Sequence, residues 1–191
     1  AGLAGLFLDI GTNYLPADLE PKDNDYRNAG AQIWQQHVML GYRALQNDDT
    51  LPQSVIDACL QHHERLDGGG FPHGIAGEDI GEMGRMAAIC DCFDFLLTAT
   101  NEDCALDPAQ AIRKMQTMAG AFDPDILRKF IEAVGLYPIG SFVQLRSKKL
   151  ALVIDEDKNH NDKPVVQAFY CTEEHRQIKP FRIELAKAAD T

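Results

Sequence analysis

Apolar residues recur with a helical period over roughly the first two thirds of the chain and with a strand period after Pro138. In "NAGAQIWQQHVMLGYRALQ" the spacing puts Ile33, Trp34, His37, Leu40, Gly41 and Ala44 on one face of a helix. "LPQSVIDACLQHHERL" opens on an early proline, keeps Val55, Ile56, Cys59 and Leu60 together, and runs into Gly68, Gly69 and Gly70, which predict its end. "GEMGRMAAICDCFDFLLTAT" is apolar nearly all round, the pattern of a buried central helix. Asp107-Pro108 and Asp123-Pro124 each read as a cap followed by the first helical residue. Beyond Pro138, "SFVQLRS", "KKLALVIDED" and "KPVVQAFYC" alternate or run β-branched around the turn-rich "DKNHND". The expected architecture is mainly α: a helical bundle over residues 1–137 and a small antiparallel β appendage over 138–191.

Composition narrows the class without naming it. At 191 residues and 45% hydrophobic content the chain can bury one good core. No apolar run approaches the ~18 residues of a membrane span. The start, "AGLAGLFLDIGTNYLP", lacks a basic n-region and carries Asp9, so no cleaved leader is predicted. It reads as a helix entered part-way along, which places the natural start further upstream. Five cysteines (Cys59, Cys90, Cys92, Cys104 and Cys171) are irregularly spaced without a C-x-x-C pair, as expected of reduced thiols in a cytoplasmic protein. Cys90 and Cys92, two apart on a helix, point to different faces and make no ligand pair. The net charge of −11 argues against a nucleic-acid surface and is a poor background for a polyanion unless a metal or a local cationic cluster reverses the field.

The polar residues that fall inside apolar helices are where chemistry is expected. His62 and His63 stand at a helix end, His37 on an apolar face, Asp9 at the end of an apolar helix, and Asp91 with Asp94 in the middle of another. Each has a plain structural reading, His37 as a core histidine and Asp9 as a turn residue. A buried carboxylate, however, costs several kcal/mol without a partner, and a divalent cation is the strongest partner available. Imidazole with carboxylate suits Fe, Mn, Zn or Ni. Taken together, Asp9, His37, His62, His63 and Asp91 read as a metal cluster.

The run "HHERLDGGGFPHGIAGEDI", followed by "GRMAAICDCFD", resembles the HD-GYP domain of bacterial signalling proteins, a branch of the HD phosphohydrolase superfamily. His62, His63, Glu64, Asp67 and Gly68 match that family's His-His-Glu-x-x-Asp-Gly. Gly70, Phe71 and Pro72 stand at its Gly-Tyr-Pro, while Arg85 and Asp91 fall on the Arg and Asp of the next helix. The resemblance covers nearly the whole chain, including the β tail. It implies a helical HD fold, hydrolysis of cyclic di-GMP at a bi- or trinuclear metal centre, and Asp9, His37, His62 and His63 as the ligands of one metal position, with Asp9 and Asp91 left for another.

Three departures weaken the implied activity. The family's His-Asp dyad and following lysine should stand at residues 8, 9 and 12, but Leu8 and Thr12 replace the histidine and lysine. Where members carry a cationic segment for substrate phosphates, this chain has Thr100, Asn101, Glu102 and Asp103. The family's first helices, which bring further ligands, are not in the sequence. The expectation is a degenerate HD-GYP domain: a regulatory or interaction module with weak or no phosphodiesterase activity, holding one divalent ion or none. Its partners would be cyclic di-GMP, weakly bound, or other proteins of that signalling network. The alternatives are an active cyclic di-GMP phosphodiesterase, or a phosphohydrolase for another substrate. The Gly70-Phe71-Pro72 loop reads as either a docking element or a turn kept for its backbone geometry.

Overall fold

The computed structural model describes residues 2–16, 29–98, 106–118, 120–157, 160 and 162–187. The chain divides into two compact units: Ala1–Leu106 with Arg113–Leu127, and Asp107–Ile112 with Arg128–Thr191. Helices precede a four-stranded antiparallel sheet, the mainly α architecture that the change of period predicts. No helix among the described residues is long and apolar enough to cross a membrane.

The first unit is built on α1 (Gly2–Phe7), a 3₁₀ turn (Ile10–Tyr14), α2 (Ala29–Trp34), α3 (Gln36–Leu45), α4 (Gln53–Gln61) and α5 (Glu82–Thr98). One apolar cluster joins Ala4 and Leu8 to Val55 and Ala58 of α4 and Ala87 of α5. A second joins Leu45, Ile56 and Cys59, with Phe7, Ile10, Tyr42 and Leu51 around them. Close backbone approach fixes how these elements cross. A Cβ on Gly11 would stand 1.8 Å from the His37 carbonyl oxygen and 2.6 Å from the Gly41 nitrogen, so only glycine lets the 3₁₀ turn lie on α3.

Several local expectations shift. The helix over 28–46 is broken at Gln35, and its buried side is His37, Val38, Gly41 and Leu45, while Ile33 and Ala44 are exposed. The helix carrying the histidines ends at Gln61, well before the glycines, and His62 caps it. Helix α5 is buried only along Gly84, Ala87, Ala88, Ile89 and Cys92; Cys90 and Asp94 face solvent, so Asp94 needs no internal partner. Exposed Cys90 and buried Cys92 do lie on different faces.

The second unit holds the sheet, ordered β1 (Phe142–Gln144), β2 (Lys149–Asp155), β3 (Val165–Cys171) and β4 (Arg176–Glu184). Ala151, Val153, Val166 and Ala168 form its buried face with Leu145, backed by Tyr137, Val143, Ile178, Ile183 and Leu185. Strand β4 is the element that sequence periodicity misses. Pro180 sits inside it without an N–H to give to a ladder, and the pairing with β3 shifts register between Ala168 and Tyr170. An edge strand tolerates that break. The helix starts are as expected: Asp107 Oδ1 accepts the Gln110 N–H while Gln110 Oε1 accepts the Asp107 N–H, a reciprocal capping box for α6 (Pro108–Thr117). Asp123 Oδ1 accepts the N–H groups of Asp125 and Ile126 at the start of α7 (Pro124–Val134).

Candidate metal centre

Four side chains from three separate stretches meet in the first unit. Asp9 follows α1, His37 lies in the first turn of α3, His62 caps α4 and His63 follows it. One ligand atom of each falls within 4.8 Å of the others. His37 and His62 are fully buried and His63 nearly so, whereas the Asp9 side chain is about half exposed at 55%. The cluster is therefore a buried histidine floor with a carboxylate at its open edge.

Hydrogen bonding sets the tautomers of two rings. His37 Nδ1 lies 2.7 Å from the Trp34 carbonyl and His62 Nδ1 2.8 Å from the Cys59 carbonyl. A carbonyl oxygen can only accept, so both Nδ1 atoms are the protonated ones, and in the neutral rings both Nε2 atoms carry lone pairs. Burial keeps the rings neutral: it lowers the pKa of His37, and it takes His62 down to about 3, helped by the neighbouring His37. His63 is pushed well below its ordinary value, mainly by burial and then by His62 and His37.

The two Nε2 lone pairs face each other at 3.3 Å, with Asp9 Oδ1 3.3 Å from His37 Nε2 and 3.8 Å from His62 Nε2. Three acceptors pointing at one another repel unless something positive lies between them. A tetrahedral ion with bonds of about 2.0–2.2 Å spaces its ligands about 3.3–3.6 Å apart, close to the separations seen. The donor set, three imidazoles and a carboxylate, thus fits a divalent transition ion in chemistry, and Asp9, His37 and His62 come close to its spacing, with His63 within 4.8 Å of them. Desolvation raises the Asp9 carboxyl above its ordinary value, and only a charge on the neighbouring His37 would lower it again.

Asp91 stands one step outside the group. Its Oδ2 lies 3.3 Å from His63 Nδ1, and burial first, then the Asp9 charge, pushes its pKa up to about 7. In this position it could orient the His63 ring, the arrangement of a carboxylate behind a ligand histidine. Leu8 points into the apolar cluster with Val55, Ala58 and Ala87 and is 8% exposed. Thr12 spends its hydroxyl on the Asp9 carbonyl at 2.7 Å. Arg85 donates through Nη1 to Asp123 Oδ2 at 2.8 Å, tying α5 to the cap of α7 rather than to the four-residue group. Asp67 Oδ1 accepts the Gly69 N–H and shapes the loop. Residues 100–103 lie outside the described residues.

The loop from Gly68 to Gly74 folds back over the histidines. Phe71 stacks on His63, ring centres 4.5 Å apart and planes 22° apart, and its N–H donates to the His63 carbonyl. Trp34 packs alongside, 4.3 Å from the His37 ring, 5.2 Å from His63 and 6.4 Å from Phe71. Sequence reading did not reach Trp34 as a part of the site, nor the Cys59 carbonyl, the Gly11 contact or Arg65, whose Nη1 donates to the carbonyls of His62 and Glu64. The lone tryptophan three residues before His37 was the one available signal, since i and i+3 share a helix face.

The HD domain family profile matches residues 1–126. A cyclic di-GMP phosphodiesterase of Pseudomonas aeruginosa is 35% identical over 191 residues, which is 100% of this chain and 46% of that protein. A cyclic di-GMP phosphodiesterase of Thermotoga maritima is 27% identical over 155 residues, 80% of this chain and 40% of that protein. A 3'3'-cGAMP-specific phosphodiesterase of Vibrio cholerae is 30% identical over 127 residues, 65% of this chain and 29% of that protein. The chain thus spans less than half the length of these curated relatives. Among solved structures, an HD-GYP-type protein of Bdellovibrio bacteriovorus superposes with a TM-score of 0.56 at 22% identity, over 68% of this chain and 41% of that one, a likeness of fold.

Proposed function

We propose, starting from the fact that this chain belongs to the HD domain family, that it is a degenerate HD-GYP module of cyclic di-GMP signalling which holds one divalent ion and hydrolyses the dinucleotide weakly or not at all. Asp9, His37, His62 and His63 would hold the ion, with Asp91 orienting His63. Bound there, a divalent cation supplies Lewis acidity and acidifies a water. The observation that carries the reading is Leu8. It sits immediately before Asp9, where the HD pattern calls for histidine, and its side chain is part of the packed core. An aliphatic side chain cannot ligate a metal in any protonation state.

Thr12 supports the same conclusion, because its hydroxyl bonds the Asp9 carbonyl and brings no positive charge toward a phosphate. Removing one group that stabilises transition-state charge typically costs about a hundredfold in rate. Cyclic di-GMP carries two negative phosphates, and a chain of net charge −11 offers them little general attraction. A regulatory role follows: the module would signal through its shape and its loop surface, with cyclic di-GMP as a weak ligand or with other proteins of the network as partners.

A second reading, a working phosphodiesterase, is favoured by the 35% identity to the Pseudomonas aeruginosa enzyme along the full chain. Hydrolysis of cyclic di-GMP with added Mn²⁺ or Fe²⁺ separates the two. The expected turnover is at least a hundredfold below that of an intact family member, with partial recovery in the double variant Leu8→His, Thr12→Lys. Turnover within tenfold of an intact member would establish the enzyme instead.

A further inference from the structure

Glu64 is buried to 1% exposure directly after the two histidines, yet it is not one of the four converging ligands. Its Oε1 accepts the His73 N–H at 2.8 Å, nine residues along the chain and at the far side of the glycine-rich loop. The same short stretch of backbone makes one more attachment to that loop and one just beyond it. The His63 carbonyl accepts the Phe71 N–H at 3.2 Å, and the Leu66 carbonyl accepts the Gly77 N–H at 3.0 Å. Gly70 lies so close that a Cβ there would stand 2.4 Å from the His63 oxygen and 2.5 Å from the Glu64 Cα. The Phe71 ring completes the contact by stacking on His63.

The loop is therefore fastened to the peptide and the ring of a metal ligand, while His73 and Gly74 at its outer end are exposed. We propose that Glu64 is a positioning residue that couples the Gly68–Gly74 loop to His63, so that metal binding and loop order form one linked equilibrium. This rests on the metal-site reading above and adds a consequence to it: whether the site is loaded becomes legible on an exposed surface. Glu64 is suited to the role because its carboxyl oxygen accepts a loop backbone N–H from a residue adjacent to the ligand. Linkage requires reciprocity. If the ion protects the loop by some factor, releasing the loop must weaken the ion by the same factor.

The test uses the full chain with Zn²⁺ alone as probe. Amide hydrogen exchange over residues 68–76 is followed with and without Zn²⁺, and Zn²⁺ affinity is measured by competition with a chromophoric chelator. The expected result is about tenfold slower exchange in the loop on Zn²⁺ binding, and about tenfold weaker Zn²⁺ binding in Glu64→Ala, inside the usual range of coupling. Glu64→Gln keeps an acceptor for the His73 N–H and should restore most of both effects. Gly70→Ala pushes the loop off the His63–Arg65 backbone while keeping the Glu64 carboxyl group, provides the same measurement should Glu64→Ala fail to fold, and should weaken Zn²⁺ similarly. If wild type takes up no Zn²⁺, the metal-site reading fails and the coupling falls with it. If wild type binds Zn²⁺ but loop exchange changes less than twofold, or either loop variant binds within twofold of wild type, the coupling alone is overturned.

Discussion

The two units bury different things. Among the described residues the helical unit buries four polar side chains, His37, His62, His63 and Glu64, and all four belong to the metal cluster or its loop clamp. The sheet unit, among the described residues, buries only apolar ones: Leu145, Ala151, Val153, Val165, Val166, Ala168 and Cys171 of the sheet region, with Ala109, Ala111 and Ile112 of α6. Burying a polar group is costly unless its bonds are satisfied, so such groups persist in a core only where something repays the cost. In the sheet nothing does, and alternation alone makes a scaffold. In the helical unit three neutral imidazoles lie together, an arrangement that yields less stability than packed aliphatics would and that a bound cation would offset. The contrast separates packing from function by residue.

Replacing His62 should sharpen that contrast most. His62→Leu is expected to weaken Zn²⁺ or Mn²⁺ binding at least a hundredfold, more than the loss of a supporting group behind a ligand. In the metal-free protein it should leave thermal stability level or raised, because an apolar side chain replaces a buried polar one. Calorimetry in chelator checks this; a large destabilisation would mean that the histidines are structural. The opposite pattern belongs to the sheet. Val153→Ala should cost about 2 kcal/mol of stability through lost burial and a cavity, with metal affinity unchanged.

Acid should find the same boundary. His62 is held at about 3 in the fold, against about 6.5 unfolded, so the unfolded chain takes up the proton first. Its contribution is complete above pH 6.5 and is withdrawn as the pH falls toward 3. Asp91, raised to about 7 by burial, acts with the opposite sign: its contribution is present at low pH and lost as pH rises through 7. The difference between wild type and His62→Leu removes Asp91 from the comparison. Between pH 6.5 and 5.5 metal-free wild type should lose about 1 kcal/mol relative to the variant. Denaturant melts at the two pH values would show it, and a constant difference would refute the buried-neutral assignment. The smallest effect is expected at Phe142, 72% exposed on the sheet: Phe142→Ser should change stability by no more than about 0.5 kcal/mol and leave metal binding alone.

Much of this was legible in the sequence, because each legible part has a local cause. The period change near Pro138 separates helices from strands, and the Asp-Pro pairs mark two helix starts whose caps are formed by those very aspartates. Polar residues inside apolar helices singled out Asp9, His37, His62, His63 and Asp91 before any distance was known, and the structure brings the first four together with Asp91 beside His63. What stayed hidden depends on contacts distant in the chain. Glycine at 11 marks no turn by itself; its reason is the His37 backbone lying across it. The break at Gln35 has no proline or glycine behind it, and β4 is disguised by Pro180 and by charged residues typical of an edge. That Leu8 is core rather than surface also could not be read from its identity, since an exposed leucine is unremarkable.

The central proposal is that this site holds one ion, on Asp9 and three histidines. Elemental analysis of the purified chain after saturation with Zn²⁺ or Mn²⁺ and removal of the excess tests it most directly, run beside His62→Leu. The account predicts one equivalent per chain in wild type and none retained by the variant. Two or more equivalents in wild type, or a single equivalent that survives the loss of His62, would contradict it.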